Sequence, residues 1–267
     1  MNRNTDFSRR LLISVDAKGY GGHTDRRQAA VQEGLLAVLD VAARRAGLHR
    51  AGWERQPAGD GELSVLPSTE QEPRVLDDFV RELHSALVSY NEDLVRQAQL
   101  RLRLALHFGA AMPAGNGFSG QGVVQVSRLV DSEPVRAILA DERIPLAVVI
   151  SDRLFTDVVA QGHTSLRPGD FRPINVNHKE YGRRAWLRSP GFDIHALDLA
   201  GAERPRTHEP ASDPVSGGTT ATTPGTGTSG ADAADPGPSR AAAPPSTVHT
   251  EFHDRVRAEN FTIVRNS

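Results

Sequence analysis

The fold is decided near the amino terminus by one stretch, which reads Leu11-Leu12-Ile13-Ser14-Val15-Asp16-Ala17-Lys18-Gly19-Tyr20-Gly21-Gly22. Residues 11–15 are mostly apolar or β-branched, so they predict a strand. Asp16 follows at once, and the glycines after it allow the backbone to turn tightly and to approach a ligand. The stretch therefore predicts a carboxylate at a strand end, beside backbone N–H groups that can bind phosphate.

A second aspartate has a similar setting. Asp60 lies between Gly59 and Gly61, just before a strand predicted at 62–66. A lone Gly-Asp-Gly is usually a tight turn, but here Asp16 supplies a second carboxylate with the same surroundings. Carboxylate oxygens are the ligands that Mg²⁺ prefers. If the two aspartates converge, the pair predicts a two-metal site for phosphoryl transfer.

The composition narrows the class of protein. The 267 residues carry a net charge of -2 with the two signs evenly mixed, which argues against a partner made of nucleic acid. There is no cysteine, so a metal would be held by carboxylate or histidine, which favours Mg²⁺ or Mn²⁺. No apolar run reaches about eighteen residues and no signal-peptide core precedes the first strand. We expect a cytoplasmic protein that does not enter membranes.

The chain also divides by composition into three parts. Residues 8–190 are rich in Leu, Val and Ile and are expected to form one catalytic domain. Residues 191–247 are expected to be a disordered linker, because from about residue 205 they consist mainly of Pro, Gly, Ser, Thr and Ala. Residues 248–267 regain aromatic and β-branched side chains, which suits a short segment that docks on a protein partner. The alternative for that segment is an unstructured end.

Hydrophobic periodicity predicts the order β-α-β-β-α-β followed by further strands, an α+β fold of the ferredoxin-like kind. His107 is expected to be a structural hydrogen-bonding residue at a strand end, and Ser151 to cap the helix that follows it. The predicted elements are strands at 11–15, 52–56, 62–66, 100–107 and 146–150, helices at 25–46, 75–91, 123–130 and 134–139, a glycine-rich connection at 109–122, and a closing hairpin of 174–176 with 185–187.

Five short motifs occur in the same order as in the class III nucleotide cyclases, the adenylate/guanylate cyclase catalytic domains. The chain resembles that family from about residue 11 to residue 187, and together the motifs are specific although each alone is weak. The matching stretches are Asp16-Ala17-Lys18-Gly19-Tyr20-Gly21, Gly59-Asp60, Leu106-His107-Phe108-Gly109, Gly120-Gln121-Gly122-Val123-Val124-Gln125-Val126-Ser127-Arg128-Leu129, and Ile174-Asn175-Val176-Asn177-His178-Lys179 with Ala185-Trp186-Leu187.

The resemblance implies a metal-dependent enzyme that converts a nucleoside triphosphate into a 3′,5′-cyclic nucleotide and pyrophosphate, in a signalling role. Two Mg²⁺ or Mn²⁺ ions would be bound by Asp16, by Asp60 and by the carbonyl oxygen of Ala17. Arg128 would stabilise the charge that develops on the α-phosphate, since its guanidinium is planar and permanently charged. The substrate phosphates would be bound by Gly19, Tyr20, Gly21 and Lys179.

The resemblance also implies a homodimer. In this family the metal ligands and the arginine of one site come from different subunits, and this chain carries one copy of each. Two chains would therefore form two equivalent sites.

The sequence departs from the family pattern in the half of the site that holds ribose and base. Val124 stands where the family has its ribose-binding asparagine, and the adjacent Gln125 is expected to point to another face of the helix. Gln56 and Gly117 stand at the positions that read adenine. The base therefore stays open among ATP, GTP, UTP and CTP.

Two other interpretations stay open beside the cyclase. The first is a catalytically degenerate cyclase fold that serves as a regulatory or nucleotide-binding module. The second is another phosphoryl-transfer enzyme on a ferredoxin-like fold, which the absence of a Gly-Gly-Asp/Glu-Glu-Phe motif disfavours.

Overall fold

The computed structural model describes residues 8–178 and 181–197, without the side chains of residues 177, 178 and 181. All of them belong to the first of the two units into which the chain divides, Met1–His208. Lys179, most of the expected linker and the expected docking segment at 248–267 lie outside the described residues. The expectations for those parts of the chain therefore stay predictions.

The described residues form a mixed sheet of eight strands. In the main path the strands follow the order β2-β3-β1-β4-β6-β8-β7, and the short β5 pairs with β4. β4 and β6 run parallel, whereas the other neighbours are antiparallel. The strands are β1 (Ser8–Ala17), β2 (Glu54–Ala58), β3 (Gly61–Val65), β4 (Leu102–Ala114), β5 (Gly117–Ser119), β6 (Leu146–Ser151), β7 (Arg172–His178) and β8 (Tyr181–Arg188).

The helices connect these strands in the predicted order, which confirms the α+β fold class. The predicted closing hairpin is also present, with Ile174 opposite Ala185. The second long helix begins three residues earlier than predicted and contains one π-helical segment, Val75–Phe79, between α2 and α3. The helices are α1 (Asp25–Arg45), α2 (Glu72–Arg74), α3 (Val80–Asn91), α4 (Gln121–Val130), α5 (Glu133–Ile138) and α6 (Asp152–Leu154), the last continuing as a π-helical segment, Phe155–Val159.

Each face of the sheet has its own hydrophobic core. On one face Ile13 and Leu104 pack against α1 and α3, and on the other Leu12 and Ala105 pack against α4 and α5. This separation follows from the strand period of two, because neighbouring side chains point to opposite faces. Ser14 and Asp16 therefore share the α4 face with Leu12.

The glycine-rich connection predicted at 109–122 is wrong for most of its length. β4 continues to Ala114 and turns back into β5, so these residues form a hairpin. Small side chains permit this arrangement, because α4 approaches the extended strand so closely that a Cβ on Gly122 would overlap the backbone of Ala110. Gly109 and Gly122, two of the glycines that suggested a loop, are thus required by helix-to-strand packing.

The folded part of the chain extends beyond residue 190. Ile194 is buried in the core on the α4 face, and Arg172 donates to the carbonyl oxygen of Leu197. Residues 191–197 therefore pack on the domain, and where the linker begins beyond them stays a prediction.

Candidate functional site

Asp16 lies near the end of β1, on the sheet face that α4 covers. The β1–β3 ladder places Asp16 opposite Gly61, and the β1–β4 ladder places it opposite Arg103. About a fifth of its side chain is exposed to solvent. The carboxylate is therefore held by an interior strand of the sheet and is still open to a ligand.

Asp60 occupies the turn between β2 and β3, directly beside the end of β1. Its carbonyl oxygen accepts a hydrogen bond of 2.9 Å from the backbone N–H of Ala17. Burial raises the pKa of Asp60, and hydrogen bonding to its own backbone partly opposes this effect. The two predicted metal-binding aspartates thus lie at adjacent strand ends, and Asp60 is in an environment that disfavours an unpaired negative charge.

A buried ion pair anchors the hairpin that carries Asp60. Glu62 accepts two hydrogen bonds of 3.0 Å from the guanidinium of Arg50, and Ser64 donates to it at 2.5 Å. Both charged side chains are at most 5% exposed. A forked arginine–carboxylate pair has one favourable geometry. This contact therefore fixes the start of β3, and with it the position of the adjacent Asp60.

Arg103 is a site residue that the sequence motifs do not reveal. Its guanidinium forms an ion pair with the carboxylate of Asp16 and lies 3.5 Å from the carboxylate of Asp131, just after α4. Burial lowers the pKa of Arg103, mainly by desolvating it. Alternation in the predicted strand at 100–107 separates Arg101 and Arg103 from the apolar face. That pattern, combined with the pairing of β1 and β4, is the signal by which Arg103 could have been found.

The two carboxylates suit a magnesium ion that keeps other oxygen ligands. Within residues 8–178 and 181–197 no group of three or more His, Cys, Asp or Glu side chains could hold a metal. Mg²⁺ is commonly bound by only one or two carboxylates together with water and substrate phosphates. The donors at Asp16 and Asp60 fit such an ion, provided that Arg103 turns away from Asp16.

The glycine turn after β1 is held in place by polar contacts. Gly19 has a positive φ of 82° and precedes a single 3-10 turn, Tyr20–Gly22. The hydroxyl of Tyr20 accepts a hydrogen bond of 2.7 Å from Gln32 of α1, and Lys18 donates to the carbonyl oxygen of Leu139. Gly21 is exposed and has no neighbour that a Cβ would meet. The predicted phosphate-binding residues Gly19, Tyr20 and Gly21 therefore form an anchored turn open to solvent.

Gln56 and Gly117, which the sequence resemblance assigns to base reading, are in contact. The backbone N–H of Phe118 donates to Oε1 of Gln56 at 3.2 Å. A Cβ on Gly117, where φ is 96°, would overlap that same oxygen. The Gln56 side chain thus fills the space in which an acidic side chain at residue 117 would lie. Gln56 presents its Nε2 amino group as the remaining polar group of the pair.

Arg128 lies on α4 and lines a groove that this helix forms with residues of β4, α6 and β8. We call this the His107 groove and define it by the residues common to two adjoining cavities, His107, Gln125, Asp152, Arg153 and Arg183. We call the cavity that also contains Ser151 and Arg184 the inner cavity, and Arg128 lines it. Neither Asp16 nor Asp60 lines either cavity. Gln125 therefore shares a cavity with Arg128, whereas Val124 is 39% exposed to solvent.

His107 differs from its predicted role. It lies inside β4 rather than at a strand end, and its Nδ1 atom is buried without a hydrogen-bond partner among the described residues. Burial lowers the pKa of His107 to about 4, and the positive charges of Arg183, Arg9 and Arg153 contribute to this shift. The imidazole is therefore neutral at neutral pH.

Ser151 also differs from its predicted role. It occupies the N-cap position of α6, yet its side chain makes no capping hydrogen bond. Its Oγ atom is buried and lacks a partner among the residues that the structure describes. The predicted N-cap position is correct, but the predicted capping hydrogen bond from the Ser151 side chain is absent.

The fold is similar to several solved cyclase structures. An adenylate/guanylate cyclase/hydrolase from Silicibacter pomeroyi is 20% identical, with 69% of this chain and 99% of that chain covered and a TM-score of 0.48. The guanylyl cyclase Cya2 is 13% identical over 76% of this chain and 96% of its own, with a TM-score of 0.49. The adenylyl cyclase CyaB from P. aeruginosa is 13% identical over 68% and 94%, with a TM-score of 0.45.

No protein-family model matches the chain, and no curated protein matches it. Among the described residues no helix is both long enough and apolar enough to cross a membrane. Because neither a family model nor a curated protein matches, support for an activity must come from the arrangement of this chain's own residues.

Proposed function

We propose that this chain is a metal-dependent nucleotide cyclase, which converts a nucleoside triphosphate into a 3′,5′-cyclic nucleotide and pyrophosphate. One observation carries the proposal: Asp16 lies opposite Gly61, and the N–H of Ala17 donates to the carbonyl oxygen of Asp60, so that Asp16 and Asp60 are at adjacent strand ends beside an open glycine turn. Two carboxylates and free backbone N–H groups are the donors that a metal-bound triphosphate needs. When bound, Mg²⁺ or Mn²⁺ would activate the attacking hydroxyl and stabilise the charge on the phosphates.

In this proposal the residues near Asp16 have separate roles in binding the metal ions and the phosphates. Asp16 and Asp60, with the carbonyl oxygen of Ala17, would hold the metal ions. Gly19, Tyr20 and Gly21 would orient the phosphates through their backbone N–H groups. Arg103, released from Asp16 when a cation binds there, would lie within reach of the same phosphates. Lys179 is proposed for the terminal phosphate on the sequence resemblance alone.

We further propose that the active form is a homodimer. Arg128 lines the His107 groove, and Asp16 and Asp60 do not. An arginine that must meet the α-phosphate of a metal-bound substrate would then come from a second copy of the chain. A symmetric pair of chains would supply this arginine twice.

Two observations favour a second candidate, a degenerate cyclase fold that acts as a regulatory or nucleotide-binding module. Asp16 already has a charged partner in Arg103, and Val124 offers only hydrocarbon where a ribose hydroxyl would need a polar group. In such a protein the Asp16–Arg103 pair would stay closed and no metal would bind.

The deciding experiment incubates the full-length protein with each of ATP, GTP, UTP and CTP in the presence of Mn²⁺ and detects products by mass spectrometry. The cyclase proposal expects a 3′,5′-cyclic nucleotide from at least one of them and none from an Asp16→Asn/Asp60→Asn variant. Binding of a triphosphate without any cyclic product would instead support the degenerate module. The same product from wild type and variant would reject the assignment of these two aspartates.

A further inference from the structure

We propose that a cleft beside Arg188 binds a free α-amino acid, whose carboxylate would contact Arg188 and whose ammonium group would contact Asp170 and Asp193. The proposal goes beyond the cyclase activity, because none of the described residues proposed for that reaction lines this cleft. We call it the Arg188 cleft and define it by Gly169, Asp170, Arg188, Gly191, Asp193 and His195.

Arg188 lies on the opposite face of the sheet from Asp16. In the β6–β8 ladder it is opposite Val148, whose side chain belongs to the core that α1 and α3 cover. Directly opposed residues of antiparallel strands point to the same face. Burial lowers the pKa of His84 on α3, and the charge of Arg188 adds to this effect. Arg188 is therefore near α3, whereas Asp16 is on the face that α4 covers.

The guanidinium of Arg188 has hydrogen-bond donors that the protein does not satisfy. Its Nη1 atom is buried and has no hydrogen-bond partner among the described residues. Burial lowers the pKa of Arg188, and the charges of Asp170 and Asp77 oppose this effect. Asp77 is engaged elsewhere, since it accepts hydrogen bonds of 2.8 and 2.6 Å from the backbone N–H and the hydroxyl of Ser165. An unsatisfied buried donor is costly, and a ligand that accepts from it removes this cost.

The two aspartates of the cleft can each accept a further hydrogen bond. Asp170 accepts one from the backbone N–H of Arg167 at 2.7 Å, and Asp193 accepts one from the backbone N–H of His195 at 2.9 Å. Each of these bonds uses one carboxylate oxygen, and an ionised carboxylate has two oxygens that accept. The cleft therefore offers acceptors for an ammonium group beside the donors of Arg188.

The charges of the cleft select for a ligand that carries both signs. Arg188 supplies one positive charge, whereas Asp170 and Asp193 supply two negative charges, so a phosphate or another multiply charged anion would be repelled. A guanidinium matches a carboxylate with paired N–H donors. An α-amino acid carries a carboxylate and an ammonium group on the same carbon atom and therefore complements both halves of the cleft.

The walls of the cleft are held together before any ligand binds. Nε2 of His195 donates to the carbonyl oxygen of Gly169 at 2.9 Å, which joins the segment after β8 to the 3-10 turn Pro168–Asp170. The guanidinium carbon of Arg188 lies 5.5 Å from the centre of the Phe171 ring, a contact that orients the side chain. Little entropy is then lost on binding. The empty volume of about 620 Å³, open mouth included, leaves room for an amino-acid side chain.

Calorimetric titration of the full-length chain with free amino acids tests this proposal. Lysine, alanine and glutamate serve as probes, and we expect saturable binding at one site per chain. Lysine should bind most tightly and glutamate least tightly, because the lining carries one more negative charge than positive charge. N-acetylalanine lacks the ammonium group and alaninamide lacks the carboxylate. Each should bind about tenfold more weakly than alanine, or weaker still, because one charged contact is lost.

Two variants remove the charges of the cleft. Arg188→Gln should weaken the binding of lysine by about tenfold or more. Asp170→Asn/Asp193→Asn should also weaken it, and should reverse the preference so that glutamate binds more tightly than lysine. Each asparagine keeps an oxygen that can accept the existing backbone hydrogen bond. The aspartate variant therefore tests the site even if Arg188→Gln does not fold.

Matched controls remove the same charges outside the cleft. Arg96→Gln is the control for Arg188→Gln, and Glu33→Gln/Glu142→Gln is the control for the aspartate variant. All three side chains are exposed, and their replacement should leave the affinity for lysine unchanged. Asp16→Asn/Asp60→Asn should also retain binding, so the result does not depend on whether the protein proves to be a cyclase.

The binding data support or reject the amino-acid site as follows. Saturable binding that Arg188→Gln weakens, with a preference that the aspartate variant reverses, would support it. The absence of saturable binding for all three amino acids would overturn it, as would equal affinity for alanine and N-acetylalanine. Equal losses in the cleft variants and in their charge-matched controls would also overturn it, because the effect would then come from net charge.

Discussion

Arg103 and Asp16 face each other across the β1–β4 ladder and form an ion pair on the sheet face that α4 covers. The guanidinium also lies 3.5 Å from Asp131, at the end of α4. A cation that binds Asp16 must therefore compete with Arg103 for the same carboxylate. The contact would couple the proposed metal binding to the position of an arginine beside the proposed phosphate site.

Replacing Arg103 by glutamine should strengthen the binding of Mn²⁺ to the nucleotide-free protein. The variant removes the competing charge, and a change of about tenfold in affinity would correspond to roughly 1.4 kcal/mol. The affinity for a metal-bound triphosphate should fall, because an arginine near its phosphates is lost. Electron paramagnetic resonance of Mn²⁺ measures the first effect and calorimetry with a nonhydrolysable triphosphate the second.

Arg136→Gln provides the control for this prediction. Arg136 pairs with Asp131 but has no described contact with Asp16. Its replacement should leave Mn²⁺ affinity nearly unchanged. If both variants changed metal affinity equally, the effect would come from net charge and not from the Asp16–Arg103 contact.

Gly61→Ala should destabilise the protein and separate the two aspartates. A Cβ at residue 61 would overlap the carbonyl oxygen of Val15, so the β1–β3 pairing must shift. Overpacking of this kind costs about 1–3 kcal/mol of unfolding free energy. Urea denaturation measures the loss, and Mn²⁺ binding should weaken in the same variant because Asp60 moves with the hairpin.

Gly21→Ala is the matched control for Gly61→Ala. Its Cβ would meet nothing within 4 Å. The unfolding free energy should therefore stay within about 0.5 kcal/mol of wild type, as at most surface positions. An equally large loss at Gly21 would show that the glycine turn, and not the strand pairing, determines the stability of this region.

Stability should decrease as the pH falls through the titration range of His107. In the folded chain the pKa of His107 is lowered from 6.5 to about 4, so the unfolded chain binds more protons between these values. Its contribution to stability is complete above pH 6.5 and is lost as the pH falls toward about 4. His84, whose pKa burial also lowers, acts in the same direction.

Comparison with His107→Asn isolates the effect of this residue. The variant should show a shallower decline of thermal midpoint between about pH 7 and pH 4 than wild type, while the part due to His84 remains. Parallel curves for the two proteins would contradict the environment described for His107.

Two inactive chains should restore activity when they are combined. If Asp16 and Arg128 act in the same site from different subunits, a heterodimer of Asp16→Ala with Arg128→Ala contains one intact site and one doubly defective site. Purified heterodimers should then show about half the wild-type rate. Each variant alone should be inactive, and the absence of any recovery would reject the shared-site homodimer.

The local pattern of the sequence predicted the elements and their order well. The apolar run at 11–15 lies within β1, and the alternation at 100–107 lies largely within β4. These predictions succeeded because hydrophobic periodicity reflects which side chains face a core. The prediction for 109–122 failed because Gly109 and Gly122 serve the packing of α4 on β4, and the amino-acid sequence does not distinguish that use from a loop.

The site was predictable only in part for the same reason. Asp16 and Asp60 carry local signals, since each lies at a strand boundary close to glycine. Arg103 carries none by itself, because its role depends on which strand lies opposite β1. Likewise the contact between Gln56 and Gly117 joins residues that are far apart in the chain.

By itself the sequence determined the alternation of strands and helices, and with it the two faces of the sheet. Burial imposes a hydrophobic periodicity on each strand and helix, and this periodicity can be read from residues that are close together in the chain. Only the tertiary structure decided that Arg103 meets Asp16 and that His107, Ser151 and several arginines share one groove. Those neighbours arise from strand register and helix packing, which are long-range relationships set by the whole fold.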